Sequence, residues 1–170
     1  MRTHRLVSPS ILLYLLALMS APGSDGLQAQ SGQRSVVLQG GGWLVDMDAS
    51  VGAIRAELPM GQSGRWLFVP GLTFAHGDLR TRPTQTDVLV PEAIFHFQLT
   101  QGRFRPYVGG GAGLALVNLF DRTINGVVTV ASGLRMDLGP EWGARLEADA
   151  RISGFTAGSV GWGVGIARRF

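Results

Sequence analysis

The sequence contains no cysteine and no lysine, and only 16% of its 170 residues are charged. The absence of cysteine excludes a disulfide framework, a thiol nucleophile and a thiolate metal site. It also excludes a lipid-anchored lipoprotein, which needs a cysteine directly after its export signal. Beyond residue 29 the chain also lacks an apolar pattern with the period of a helix, a low-complexity tract and a linker between domains. These absences leave one domain built from strands.

The charges that are present are almost balanced. All 15 basic residues are arginine, and 13 of them stand against 11 Asp and Glu once residues 1–29 are set aside. Acids and arginines alternate along the chain, as in Arg145, Glu147, Asp149 and Arg151. A nucleic-acid surface would instead cluster positive charge on one face. The sequence therefore predicts no nucleic-acid partner.

Residues 1–29 have the three parts of a secretory signal peptide. Arg2 and Arg5 give a positively charged start, and the apolar run at 11–19 is too short to cross a bilayer as a helix. Small and turn-forming residues follow, and Ala29 is the best position for cleavage. We therefore predict a cleavable signal peptide over residues 1–29 and one domain over residues 30–170. An uncleaved N-terminal anchor is the alternative.

The rest of the chain has a regular rhythm of strands and turns. The segments between turn residues predict eight strands, most with the roughly 9–11 residues that a tilted strand needs to cross a bilayer. The strands are predicted at residues 35–45, 52–58, 65–75, 87–99, 104–117, 127–138, 141–153 and 160–170. The first connection, at 46–49, is short, and the polar connection at 76–86 is the longest. Alternating connection lengths favour a membrane barrel with short turns on one side and longer loops on the other.

The final strand separates large and small side chains with a period of two. Trp162, Val164 and Ile166 fall on one face, and glycines fill the other. A soluble sheet would bury the apolar face and leave a polar face in water. Here the glycine face leaves room for a narrow barrel interior, and the apolar face is suited to contact with lipid. In the strand at 141–153, Trp142 and Leu146 share an apolar face opposite a row of charges.

Charges of both signs fall on one face in four of the predicted strands, and they define a predicted lumen network. Opposite charges must pair there, because an unpaired charge in a narrow space of low dielectric is costly. An eight-stranded barrel is just wide enough for side chains to fill it, and closure of the sheet satisfies every backbone group in lipid. The faces of strands one, three and five stay ambiguous. The predicted network consists of Arg55, Glu57, Glu92, His96, Arg135, Asp137, Arg145, Glu147, Asp149 and Arg151.

Two segments resemble a known family. The sequence RPYVGGGAGLAL at 105–116 is similar to the Pro-Tyr-Val-Gly-rich segment of small bacterial outer-membrane β-barrel proteins of the OmpA/OmpX type. The last strand resembles the C-terminal signal read by the outer-membrane assembly machinery, although Arg168 departs from that pattern. The resemblance implies an eight-stranded antiparallel up-and-down transmembrane barrel in the outer membrane of a Gram-negative bacterium, exported through the periplasm. It also implies the assembly machinery as partner and no catalytic residues. The residues that match the assembly signal are Trp162, Val164, Ile166 and Phe170.

Catalytic and metal sites are weakly supported by the sequence. Only His76 and His96 remain after residue 29. We predict His96 as a lumen residue and His76 as a solvated loop residue, and neither has the ligand spacing of a metal site. The glycines at 109–113 lie in a strand pattern with no helix behind them, so they are not a phosphate-binding loop. The sequence predicts no cofactor and no metal.

Three functions stay open at this stage. The first is an integral, monomeric outer-membrane barrel with a structural or surface role, a filled lumen and lipids around it. The second is a narrow, porin-like channel or binding barrel for small apolar molecules. The third is a lipid-modifying enzyme. A soluble secreted barrel of the lipocalin type is the architectural alternative.

Overall fold

The computed structural model describes residues 33–79, 82–118, 123–154 and 158–170, with the side chains of residues 82–84 left aside. The predicted signal peptide at 1–29 lies outside the described residues. None of the described segments is a helix with the length and apolarity needed to span a bilayer.

Eight antiparallel strands form a closed barrel in which each strand pairs with its neighbours in sequence, and the first pairs with the last. The predicted fold is therefore confirmed. Closure leaves no free sheet edge, as a barrel in lipid requires. The strands are β1 (Ser35–Val45), β2 (Met47–Met60), β3 (Trp66–Leu79), β4 (Arg82–Gln98), β5 (Phe104–Val117), β6 (Thr123–Asp137), β7 (Trp142–Ser153) and β8 (Ser159–Arg169).

Four strands are longer than predicted at one end of the barrel. We call this end, where β1 meets β2 and β3 meets β4, the loop end, and the opposite one the terminal end. Only Asp46 separates β1 from β2, so the predicted connection at 46–49 is wrong. The predicted connection at 76–86 is also wrong, because β3 continues to Leu79 and β4 begins at Arg82. β6 likewise begins at Thr123 and not at 127.

The reason for these extensions is that backbone pairing continues beyond the apolar part of the strands. Asp78 pairs with Gln85, and Val117 pairs with Thr123, in ladders that do not depend on apolar side chains. Polar composition alone therefore predicted loops at positions where the barrel extends its strands.

The ambiguous face of β3 is resolved by burial. Leu67, Val69, Thr73 and Ala75 point into the barrel and are 0–5% exposed, whereas the aromatic and leucine side chains of the other parity face outward. On this outer surface the Trp66 ring packs against the Phe97 ring of β4, with centroids 4.9 Å apart, and the Phe68 ring packs against the Phe95 ring, with centroids 5.2 Å apart. The outer surface of β3 is thus apolar over most of its length.

The interior has two layers. Near the loop end, an apolar layer fills the lumen with side chains from six strands. Below it, towards the terminal end, charged side chains occupy the lumen together with a few buried apolar ones such as Leu67 and Val69. The apolar layer consists of Trp43, Met47, Ala49, Ala75, Val88, Val90, Ala115, Val117 and Val127.

Candidate functional site

Nine of the ten predicted lumen residues are buried inside the barrel, and we call this set the charged core. It holds four arginines and four carboxylates, so its formal charges cancel among the described residues. Glu147 is 1% exposed and Arg145 is 2% exposed, which means that bulk water does not reach them. The charged core consists of Arg55, Glu57, Glu92, His96, Arg135, Arg145, Glu147, Asp149 and Arg151.

Glu147 on β7 is one centre of this network. Its carboxylate accepts hydrogen bonds from Arg55 on β2 and from Arg145 on its own strand. The Tyr107 hydroxyl donates to the same carboxylate at 2.7 Å and in turn accepts from Arg145 Nε at 2.8 Å. Glu147 therefore joins strands from three parts of the barrel wall.

Glu57 on β2 is a second centre, closer to the terminal end. Arg135 Nε donates to Glu57 Oε1 at 2.8 Å, and Arg145 Nη1 donates to the same oxygen at 3.2 Å. The Ser35 hydroxyl donates to the other oxygen at 2.7 Å. Arg145 thus bridges Glu57 and Glu147, and the two centres form one network.

Glu92 on β4 is the third centre and lies beneath the apolar layer. Its Oε1 accepts from Arg55 at 3.2 Å, from Arg151 at 3.0 Å and from the Thr73 hydroxyl at 2.9 Å. The Thr129 hydroxyl donates to its second oxygen at 3.1 Å. Arg151 also binds Asp149 on its own strand.

His96 is held in one tautomer by its neighbours. Arg135 Nη2 lies 2.7 Å from His96 Nδ1. Because arginine only donates, Nδ1 is the acceptor, and the proton of the neutral ring is on Nε2. That nitrogen lies 3.9 Å from Glu147 Oε2. His96 is therefore a fixed member of the network.

Tyr107 is a member of this network that the sequence did not identify. Its ring lies 4.6 Å from the His96 ring and 4.0 Å from the guanidinium carbon of Arg135. Only a weak signal in the sequence marks Tyr107. It is a single large inward residue that precedes a run of glycines on β5, and one residue does not establish a face. Parity along β5 would find it only once the inward face was known.

The inward glycines of β5 face the large inward residues of β4. Gly109 is paired with His96, and Gly113 with Glu92. A Cβ atom at Gly109 would lie 2.3 Å from His96 Cδ2 and 2.6 Å from a backbone oxygen of β4. Only glycine leaves the space that His96 occupies, which explains the glycine-rich segment at 109–113 as a packing feature.

Asp137, the tenth predicted lumen residue, lies outside the charged core. It binds Arg105 and Arg169 at the terminal mouth of the barrel, and its side chain is 30% exposed. The structure therefore separates Asp137 from the other nine residues. The four residues predicted as assembly signal lie on the outer surface, where each is about half exposed: Trp162, Val164, Ile166 and Phe170.

The arrangement of the charged core is suited to holding strands together. Three of its carboxylates accept from two or more donors at once, so they are occupied as structural acceptors. Among the described residues, no group of three or more His, Asp or Glu side chains is placed to hold a metal ion. The geometry is that of a lumen occupied by buried side chains whose formal charges cancel.

A closed eight-stranded barrel with an apolar exterior and a lumen filled by apolar and charged side chains belongs to the class of small transmembrane β-barrels. The solved structures that this chain resembles include small outer-membrane barrels and a de novo designed transmembrane β-barrel. Neisserial surface protein A aligns with a TM-score of 0.54 and 14% identity over 81% of this chain and 96% of its own. The outer membrane enzyme PagL aligns at 0.53 and 10% over 80% and 99%.

The Yersinia pestis outer membrane protein Ail in a phospholipid nanodisc aligns at 0.52 and 13%, over 82% of this chain and 100% of its own. At these identities, the similarity shows a shared fold. No family model matches the chain, and no curated protein matches it.

Proposed function

We propose that the chain is an integral protein of the bacterial outer membrane with a structural or surface role and a lumen closed by its own side chains. The observation that carries this proposal is the contrast between the two faces of the wall. Leu146, 54% exposed, and its outward neighbours form an apolar exterior, while Glu147 beside it is buried in a neutral network. A soluble barrel would have the opposite arrangement, with apolar side chains inside and polar side chains outside.

The packed lumen supports a closed barrel over the alternative of a narrow channel. The apolar layer and the charged core follow one another along the axis, and their side chains are almost without exposure to water. Opening a path would require breaking several buried ion pairs, each costly to separate. We expect no conductance steps from the purified chain in planar bilayers at moderate voltage. Regular steps would favour the channel.

Two substitutions test membrane insertion directly. Leu146 lies near the middle of β7, and Ile124 lies near the loop end of β6, and both are exposed on the outer surface. In a bilayer, Leu146→Arg should cost about 2–4 kcal/mol, and Ile124→Arg about 0–1 kcal/mol because it lies near the interface. In a soluble barrel, both changes would place arginine in water and be tolerated equally.

The measurement is folding into phospholipid vesicles, followed by gel mobility with and without boiling. We expect the wild type and Ile124→Arg to migrate differently when heated, and Leu146→Arg to insert poorly. Equal behaviour of the two variants, with the wild type folded in buffer without lipid, would reject the proposal.

Assembly by the outer-membrane machinery is the second part of the proposal. The last strand, β8, is followed directly by Phe170, and large apolar residues at its outward positions alternate with glycines at most of its inward positions. The Phe170 amide donates to Arg34 O at 2.9 Å, so the C-terminus is joined to the start of β1. The strand that the machinery would read is therefore also the one that closes the barrel.

A further inference from the structure

Three polar side chains form a row across the outer surface of β2, β3 and β4 near the loop end. Ser50 is paired with His76 across β2 and β3, and His76 is paired with Asp87 across β3 and β4. All three point away from the lumen. The outer positions immediately nearer the terminal end of the barrel on these strands are apolar or glycine, so the row stands at the border of the apolar surface nearest the loop end.

The central residue of the row is oriented by an acid. His76 Nδ1 lies 2.7 Å from Asp87 Oδ1. Because a carboxylate only accepts, the proton of this hydrogen bond is on Nδ1, and Nε2 of the neutral ring is left as a base. Ser50 lies on the opposite side of His76 from Asp87. Directly paired residues have Cβ atoms about 4.5–5.5 Å apart, so a rotation of the Ser50 side chain suffices to bring its hydroxyl to the ring.

A groove of about 320 Å³ lies against Ser50 and His76. It follows the same row onto β1 and β8, where Gly42 is paired with Ser50 on one side and with Trp162 on the other. Gly42 has no side chain to fill the space. A Cβ atom there would lie 3.4 Å from Trp162 Nε1, so the indole N–H borders the groove. Asp48 also lines it.

The height of the row matches the border between acyl chains and head groups. Along the outward positions of β3, side chains are apolar from Trp66 to Phe74 and polar from His76. At a rise of about 3.4 Å per residue and a tilt of about 40°, His76 is roughly 26 Å above Trp66 along the barrel axis. The apolar band of such barrels is about 25 Å tall. Ester bonds of membrane lipids lie at this border.

We propose that Ser50, His76 and Asp87 form an ester-hydrolysing site that acts on the acyl esters of outer-leaflet lipids, with Trp162 binding the carbonyl oxygen. The proposal goes beyond the structural role above and rests only on membrane insertion. It also departs from the sequence-based expectation of no catalytic residues. The three residues come from three strands, and only the register of the sheet brings them into one row.

The reaction needs only water as co-reactant. Ser50 Oγ attacks the ester carbonyl carbon while His76 Nε2 takes the hydroxyl proton, and the Trp162 N–H donates to the oxyanion. The bond from carbon to the lipid oxygen breaks, and His76 returns the proton to the leaving alcohol. Water then attacks the acyl-Ser50 ester and gives its proton to His76, which protonates Ser50 Oγ as the free fatty acid leaves. Asp87 keeps the ring in its orientation throughout.

The test uses the full mature chain folded in vesicles, with release of fatty acid measured by mass spectrometry. One arm contains ester-linked phosphatidylcholine, with its ether-linked analogue as the blank, and the other contains lipopolysaccharide. A fluorophosphonate probe, which reacts with activated serines, is applied in parallel, and the labelled peptide is identified. Ser132→Ala is the matched control, because Ser132 is an exposed outward serine on β6 without a histidine opposite it.

We expect fatty acid release in at least one arm and a label on Ser50. His76→Gln should lower the rate by about 10²–10⁴-fold, Ser50→Ala should abolish both signals, and Ser132→Ala should keep the wild-type rate. Release in one arm alone identifies the lipid that serves as substrate. Heat-shifted migration of each variant shows that it is folded.

A folded, heat-shifted wild type that releases no fatty acid in either arm and takes no label would overturn the hydrolase and leave the structural proposal standing. So would release that is unchanged in Ser50→Ala, because the hydrogen bond between His76 and Asp87 would then be an ordinary surface ion pair. A chain that never inserts overturns both proposals, and the gel distinguishes that result.

Discussion

Arg55 on β2 donates to Glu147 on β7, so one hydrogen bond connects strands that are not neighbours in the wall. Arg145 and Tyr107 donate to the same carboxylate. Few contacts within the sheet join such distant strands, because ladder bonds link only adjacent ones. The charged core therefore acts as an internal brace for the cylinder.

Removing Glu147 should destabilise the barrel more than enlarging the residue beside it. Glu147→Leu leaves Arg55 and Arg145 without a shared acceptor, and loss of one partner from a buried ion pair costs about 3–5 kcal/mol. Ala148→Leu adds bulk on the lipid side and should stay within about 0.5 kcal/mol of wild type. Urea unfolding from detergent micelles measures both. Equal shifts in the midpoint would contradict the inward assignment of Glu147.

Two adjacent glycines on β5 should respond differently to the same change. A Cβ at Gly109 would lie 2.3 Å from His96 Cδ2, whereas the nearest described atom to a Cβ at Gly110 is 3.6 Å away. Gly109→Ala should therefore cost about 1–3 kcal/mol through overpacking, and Gly110→Ala should be neutral or slightly stabilising. The comparison uses thermal unfolding of the two variants in the same detergent. A stable Gly109→Ala would mean that His96 has space the structure does not show.

The two predicted lumen acids Glu57 and Asp137 should differ in their contribution to stability. The Asp137 side chain is 30% exposed and the Glu57 side chain 8% exposed. Asp137→Asn weakens a partly solvated ion pair and should cost at most about 1 kcal/mol. Glu57→Gln removes a buried charge between Arg135 and Arg145 and should cost about 3 kcal/mol. Unfolding free energies in urea decide the order, and the reverse order would contradict the separation of Asp137 from the core.

The last residue should matter for assembly in cells more than for stability. Phe170→Ala should lower the amount of folded barrel in the outer membrane, while refolding of the purified chain into detergent should be close to wild type. Phe104→Ala is the control, since Phe104 is an exposed aromatic residue at the same end of the barrel, on β5. Equal amounts of both variants in the membrane would remove the assembly role of Phe170.

The groove beside Ser50 can be closed without touching the proposed triad. A Cβ at Gly42 would lie 3.3 Å from Ala49 O and 3.4 Å from Trp162 Nε1, whereas at Gly40 nothing lies within 4 Å. Both glycines face outward on β1. Gly42→Val should reduce kcat/KM for ester release by about tenfold or more, through a loss of binding of 1.4 kcal/mol or more, and Gly40→Val should not. Equal rates for the two variants would place the substrate elsewhere.

The parts of the fold that could be predicted from the sequence are those in which the two faces of a strand differ sharply. β7 and β8 alternate charge or glycine with large apolar residues, and burial follows that parity residue by residue. β3 could not be assigned, because Leu67 on its inner face is as apolar as Phe68 on its outer face. Leu67 and Val69 are buried apolar residues at the level of the charged core, so on this strand hydrophobicity does not distinguish the inner face from the outer face.

Contacts between strands could not be predicted from the sequence for a different reason. The row of Ser50, His76 and Asp87 depends on the register of two hairpins, and a shift by one residue would turn each side chain to the other face. Polar residues at 76–86 predicted a loop, yet the ladder continues as far as the pair of Leu79 with Arg82. The alternation of residue types along the chain shows which face of a strand each side chain occupies. Which residues lie opposite one another on neighbouring strands depends on the register of the sheet.

The pairing of β1 with β8 has a consequence for the synthesis and folding of the polypeptide. The first strand of the barrel to be synthesised must wait for the last one, because Ser35 is matched to Arg169 and Val45 to Ser159. A chain halted before β8 would carry two open edges, one on β1 and one on β7, each able to capture a strand from another molecule. Synthesis of all eight strands is thus a physical precondition for closure of the barrel, and products truncated before β8 are candidates for aggregation or degradation.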